Sequence, residues 1–158
     1  MEEVIKFSKD GIEALVAPCS ELEKELTSND FVILIGKKGK LEAEAETASV
    51  EVTKDSIKSM DQFVDVLKKA IEALENGRRI AACCPKGCTR STMAVSAALI
   101  AYGVPYKELE EFFTEKGCWP KSCTHRALLM ILEYLRRKGI TGTEAVEELK
   151  NVADLFSK

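Results

Sequence analysis

The sequence lacks a membrane-length apolar run, a surplus of positive charge and any low-complexity tract, and each absence narrows what it can do. No stretch reaches the roughly 18 apolar residues that a membrane span needs. The opening MEEVIKFSKDG has no basic segment followed by an apolar one, so no secretory leader is expected. The formal net charge of -3 offers no global field for nucleic acid or an anionic membrane, so any anion site has to be local. No repeat or Pro/Gly-rich linker divides the 158 residues, a length that suits one domain, 1–158, with its own core. The expectation is a cytoplasmic monomer without membrane or nucleic-acid partners.

Histidine is nearly absent as well, and cysteine is not: one stands against six. Without an export signal, the six thiols are expected to stay reduced and to serve packing, metal binding or catalysis. The metal option is weak. Cys118 and Cys123 form one C-x4-C pair with His125 just behind, whereas zinc sites prefer two such pairs, so neither metal nor other cofactor is expected. His125 then reads as a helix-surface residue, and Trp119, before Pro120, as packing. Gly36-Lys37-Lys38-Gly39-Lys40 lacks the G-x4-G-K-[ST] spacing of a nucleotide loop and a following helix, which leaves a charged hairpin turn.

Periodicity places the elements. Residues 12–17 and 31–35 are short apolar runs of strand type around an amphipathic helix pattern at 20–26, a β-α-β beginning. Apolar and polar residues alternate from 41 to about 52, as in a strand or hairpin with one wet face. Ser59-Met60-Asp61-Gln62 has the form of a capping box and opens a helix that stops at Asn76-Gly77. Ile80-Ala81-Ala82-Cys83 reads as a small buried strand, and an apolar helix runs from Ser91 to Gly103. Helices follow at about 105–116, 121–138 and 143–156, so the C-terminal third is helical.

Between that strand and the apolar helix lies CPKGCTRS, residues 84–91, which holds the chemistry. A strand-to-helix loop turns backbone N–H groups and the positive end of the helix dipole toward its mouth, making an anion cradle. Gly87 lets the chain curl there. A helix N-terminus and a nearby guanidinium favour the thiolate of Cys84. The planar fork of Arg90 matches two phosphate oxygens, and Ser91 can hydrogen-bond a thiolate or leaving sulfur.

The spacing C-x-x-G-x-x-R-S over Cys84 to Ser91 resembles the signature of the cysteine-based protein tyrosine and dual-specificity phosphatases. The element order over roughly 50–138 is similar to that of the dual-specificity members, and GCWPKS at 117–122 looks like the segment between their last helices; the family has a water-orienting glutamine at the start of the following helix, which gives His125 a place near the site as the alternative to the surface. The resemblance implies an α/β fold with a central sheet flanked by helices. It implies a phosphomonoester hydrolase working through a cysteinyl-phosphate without metal, on a phosphorylated protein or a small phosphomonoester. Cys84 would be the nucleophile, Arg90 the phosphate clamp, Ser91 the hydroxyl that assists release of the thiolate, and Pro85, Lys86, Gly87, Cys88, Thr89 and Arg90 the phosphate-binding loop.

Three positions depart from the family pattern. Cys83 stands where the family has histidine, and Pro85 lacks a backbone N–H in the cradle. Lys54 occupies the place, 30 residues before Cys84, where the general acid is expected, with Asp55 beside it; Asp55 is the leading candidate, ahead of Glu51 and Asp61. These departures keep two alternatives open: a pseudo-phosphatase that binds phosphorylated ligands without turnover, and a thiol-redox enzyme using the same loop. The crowded cysteines add a redox expectation. Cys83 should face the opposite side of its strand from Cys84, whereas Cys88, four residues on, is a possible disulfide partner that would trap an oxidised Cys84 reversibly.

Overall fold

A computed structural model describes residues 3–36, 41, 43–85 and 88–156. Five strands form one sheet in the order β1-β2-β5-β3-β4, with β1 Ile5–Lys9, β2 Ile12–Pro18, β3 Phe31–Ile35, β4 Glu46–Val50 and β5 Ile80–Cys84. β1 is antiparallel to β2, while the β2/β5, β5/β3 and β3/β4 pairs are all parallel. The helices are α1 Cys19–Leu22, α2 Met60–Glu75, α3 Thr89–Tyr102, α4 Tyr106–Glu115, α5 Cys123–Arg137 and α6 Thr143–Phe156.

Composition explains the positions in the sheet. FVILI of β3 and IAACC of β5 are buried throughout, as strands covered on both faces must be, whereas β1 and β4 at the edges carry polar residues. Alternation along the central strands divides the core in two. Ala14, Val16, Ile33, Ala82 and Cys84 face the large cluster under the helices, and Leu15, Ala17, Leu34, Ala81 and Cys83 face a smaller one with Leu22. Cys83 and Cys84 thus point to opposite faces, as the strand period requires.

The helices expected from residue 59 onward lie where periodicity puts them. Ser59 caps α2 by accepting from the Gln62 N–H at 3.2 Å, but Gln62 Oε1 turns outward to accept from the Glu51 N–H at 3.4 Å, so half of the capping box is formed. α3 begins two residues before Ser91 and is buried on nearly every side, which its run of small residues permits.

One expectation is corrected, one is narrowed to its strand alternative, and one strand was not foreseen. The 20–26 helix is a single turn, α1, displaced to Cys19–Leu22. The alternating 41–52 segment yields the short strand β4, and because it runs parallel to β3 the intervening connection is a crossover rather than a hairpin; Lys37 to Lys40 lie outside the described residues. β1 was not expected at all. It pairs with β2 through Asp10 (φ 49°) and Gly11 (φ 84°), the two left-handed residues of a tight turn whose Asp-Gly signal stands openly in the sequence.

Candidate active site

The parallel strands β2, β5, β3 and β4 end together at Pro18, Cys84, Ile35 and Val50, and ligands of such sheets bind outside the carboxyl ends. Cys84 is the last residue of β5, paired with Pro18 and fully buried. Pro85 is exposed at this edge, close enough to Gly36 that a Cβ there would sit 3.9 Å from its Cδ. Lys86 and Gly87 lie outside the described residues. Cys88 is the N-cap of α3 and Thr89 its first residue, so the chain passes from a buried thiol to a helix start within five residues.

Arg90 and Ser91 occupy the first turn of α3. Arg90 Nη1 donates to the Val52 carbonyl at 3.5 Å, which brings the clamp candidate against the segment carrying Asp55. Ser91 Oγ is buried and has no hydrogen-bond partner among the described residues, and the same holds for Thr92 Oγ1. A buried hydroxyl without a partner costs on the order of 1–3 kcal/mol.

Asp55 is exposed within a tight turn. The Thr53 N–H donates to the Ser56 carbonyl at 2.9 Å, the hydroxyls of Thr53 and Ser56 are 2.6 Å apart, and Val52 bridges Ile57. Thr53 Oγ1 also lies 3.4 Å from Asp55 Oδ1. The competing carboxylates are paired with lysines, Glu51 with Lys58 at 3.2 Å and Asp61 with Lys150 at 3.5 Å.

His125 is not the surface residue expected. It is 2% exposed, its N–H donates to Ser122 Oγ at the N-cap of α5, and its Nε2 lies 3.1 Å from the Ser56 carbonyl. The N-cap is legible in sequence, but a partner 69 positions away is not.

The cysteines also depart from expectation. Four of the six are oxidised: Cys19 with Cys83 across a Cα separation of 4.8 Å, and Cys88 with Cys118 across 5.3 Å. Cys19 follows directly on β2, whose Ala17 registers with Cys83, so strand pairing itself brings those sulfurs together. Cys88 is therefore bonded to Cys118 and not to Cys84, and Cys118 cannot act with Cys123 as a metal knuckle. Cys84 stands outside both disulfides, as does Cys123.

A charged cluster at the opposite, amino ends of the central strands is structural. Arg79 grips Asp30 with two bonds, at 2.7 and 3.0 Å, reaches Glu13 at 3.0 Å and also donates to the Glu25 carbonyl. Burial opposes ionisation of Asp30, but the Arg79 bonds and the Thr27 N–H outweigh it and hold the carboxyl below its ordinary range.

Comparison with solved structures defines the fold. The chain is similar to Tk-PTP in its active form, with TM-score 0.58 and 19% identity over 82% of this chain and 95% of that one. It is similar to PTPMT1, with TM-score 0.54 and 16% identity over 85% and 95%. A PTPMT1 structure in complex with PI(5)P gives TM-score 0.51 and 13% identity over 84% and 95%. No family model matches the sequence, and no curated protein matches it. The fold is that of the protein tyrosine phosphatases, a five-stranded sheet flanked by helices.

Proposed function

We propose that the protein is a cysteine-dependent phosphomonoester hydrolase. The observation that carries this reading is the position of Cys84: a thiol outside both disulfides, at the carboxyl end of the central strand, with the N-terminus of α3 and Arg90 following, on a tyrosine phosphatase fold. In the proposed reaction the Cys84 thiolate attacks phosphorus and the bond to the leaving oxygen breaks. Asp55 gives that oxygen its proton. The Arg90 guanidinium spans two phosphoryl oxygens, and its contact to Val52 supports this by keeping it beside the acid-bearing turn. Water then attacks the cysteinyl-phosphate, Asp55 takes its proton, the S–P bond breaks, and the Ser91 hydroxyl, which has no other partner among the described residues, donates to the departing thiolate. No step calls for a metal. The PI(5)P complex of a structural neighbour supports a phosphorylated substrate, a protein or a small phosphomonoester including phosphoinositides.

A second reading, a binder without turnover, is favoured by two observations. Cys83, where the family has histidine, is bonded to Cys19, and Pro85 removes one N–H from the cradle. One experiment separates the two. Wild type is expected to hydrolyse p-nitrophenyl phosphate, and Cys84→Ser to lose that activity while still binding inorganic phosphate or vanadate, because backbone N–H groups and Arg90 make the cradle. Activity retained in Cys84→Ser overturns the assignment, and phosphate binding by an inactive wild type establishes the binder.

A further inference from the structure

The turn that carries Asp55 is held from two sides, and the second hold has no role in the chemistry described so far. Ser56, the residue after Asp55, offers its carbonyl to the Thr53 N–H at 2.9 Å and the Thr53 hydroxyl at 3.4 Å, which close the turn, and to His125 Nε2 at 3.1 Å, which comes from outside it. A carbonyl only accepts, so Nε2 carries the imidazole proton. The imidazole is fixed in turn. His125 is the third residue of α5, its backbone is tied to the Ser122 cap, its side chain is buried, and α5 packs on α3. On the other side Arg90, in the first turn of α3, holds the Val52 carbonyl. The segment 52–57 is thus slung between the first turns of two packed helices, one bearing the proposed phosphate clamp and the other the chain's single histidine.

We propose that His125 is a positioning residue for the general acid: its bond to the Ser56 carbonyl sets where the neighbouring Asp55 presents its proton. This inference rests on the phosphatase reading. An exposed carboxyl on a turn closed by its own hydrogen bonds has an orientation only as fixed as the turn, and general acid catalysis needs the proton within hydrogen-bond reach of the leaving oxygen. A donor reaching in from a helix supplies the fixed reference that the turn lacks.

The test compares His125→Phe, which fills the space without a donor, with His125→Gln, which restores one. Rates are measured on phenyl phosphate, a poor leaving group, and on p-nitrophenyl phosphate, a good one. His125→Phe is expected to lower kcat/KM, which reports the step that breaks the bond to the leaving oxygen, about 10-fold on phenyl phosphate, part of the roughly 10²–10⁴-fold that general acids contribute, with little change in kcat/KM on p-nitrophenyl phosphate. His125→Gln is expected to recover most of that loss, and His125→Phe to add nothing when Asp55→Asn is already present. Hydrogen exchange gives a readout independent of activity. The Thr53 and Lys58 amides, bonded to Ser56 and Glu51, should exchange faster in His125→Phe than in His125→Gln, with α5 unchanged. Should His125→Phe not fold, His125→Asn, whose shorter side chain withdraws the donor, takes its place. Equal losses on both substrates, or faster exchange without any leaving-group effect, overturn the proposal. An inactive wild type sinks the phosphatase reading and this inference with it, and the exchange then reports whether the latch exists apart from any reaction.

Discussion

Asp55 stands three positions after the carbonyl that Arg90 holds and one before the carbonyl that His125 holds, whereas Glu51 and Asp61 are committed to Lys58 and Lys150. Those contacts favour Asp55 as the acid in the proposed reaction, and kinetics decides among the three carboxylates that the sequence left in competition. Asp55→Asn is expected to lower kcat/KM on phenyl phosphate about 10²-fold or more and on p-nitrophenyl phosphate far less. Glu51→Gln and Asp61→Asn should leave both rates near wild type. Kinetics of the three variants on both substrates check this, and leaving-group dependence in either control would move the acid role away from Asp55. At this scale, legibility followed sequence distance. Cys84, Arg90 and Ser91 fall in one eight-residue stretch, and their spacing together with the strand before and the apolar helix after nominated them. The burial of His125 and the bridge from Cys88 to Cys118 depend on partners 69 and 30 positions away, and no local pattern encodes those.

At the scale of elements, α2 to α6 were readable because apolar residues recur at helical spacing and caps mark their ends, as at Ser59 and Asn76-Gly77. The edge strands were harder: β1 and β4 each have one partner and half-wet faces, so neither shows the unbroken apolar run of β3 or β5. The start of α4 shows a different limit. Its N-cap, Pro105, has no side-chain acceptor, and the Tyr106 N–H is taken instead by Glu133 Oε1 of α5 at 3.0 Å. Glu133 is buried and also receives Arg136 through two bonds at 2.8 Å and Arg137 through one. The Arg136 bonds, against the opposing effect of burial and with help from the Tyr106 N–H and Arg137, draw its carboxyl from 4.5 down to about 2. A carboxyl more acidic folded than unfolded contributes stability that is complete above the unfolded value and is lost as pH falls through the folded one. Glu133→Gln should therefore cost about 2 kcal/mol near neutral pH, the scale of hydrogen bonds to a charged group. The difference from wild type should shrink as pH falls from 4.5 toward about 2. Urea unfolding of both proteins across that range checks it, and a pH-independent difference would remove the ion pair as the cause.

Over the whole molecule, the two disulfides reach outward from either side of Cys84. Cys83, just before it, ties β5 to the end of β2 on the small-cluster face, and Cys88, at the start of α3, ties the loop to the segment between α4 and α5. No helix among the described residues is long and apolar enough to cross a membrane, and the two bridges contradict the expectation that all six thiols stay reduced. They also change what a reductant does. A dithiol protects Cys84 from oxidation but opens the braces around it. In the chain-entropy account, bridges spanning 64 and 30 residues each contribute roughly 3–4 kcal/mol by restricting the unfolded chain. For a chain of this size each corresponds to about 10 °C in Tm. Thiol titration of the unfolded protein should find two thiols, those of Cys84 and Cys123, without reductant and six with it. Complete reduction should lower Tm by about 20 °C. A Cys88→Ser, Cys118→Ser double variant should show about half of that drop without reductant and the other half on reduction, since the bridge to Cys19 survives in it. Six titrating thiols with an unchanged Tm would mean that sheet pairing and helix packing, rather than the bridges, hold the loop in place.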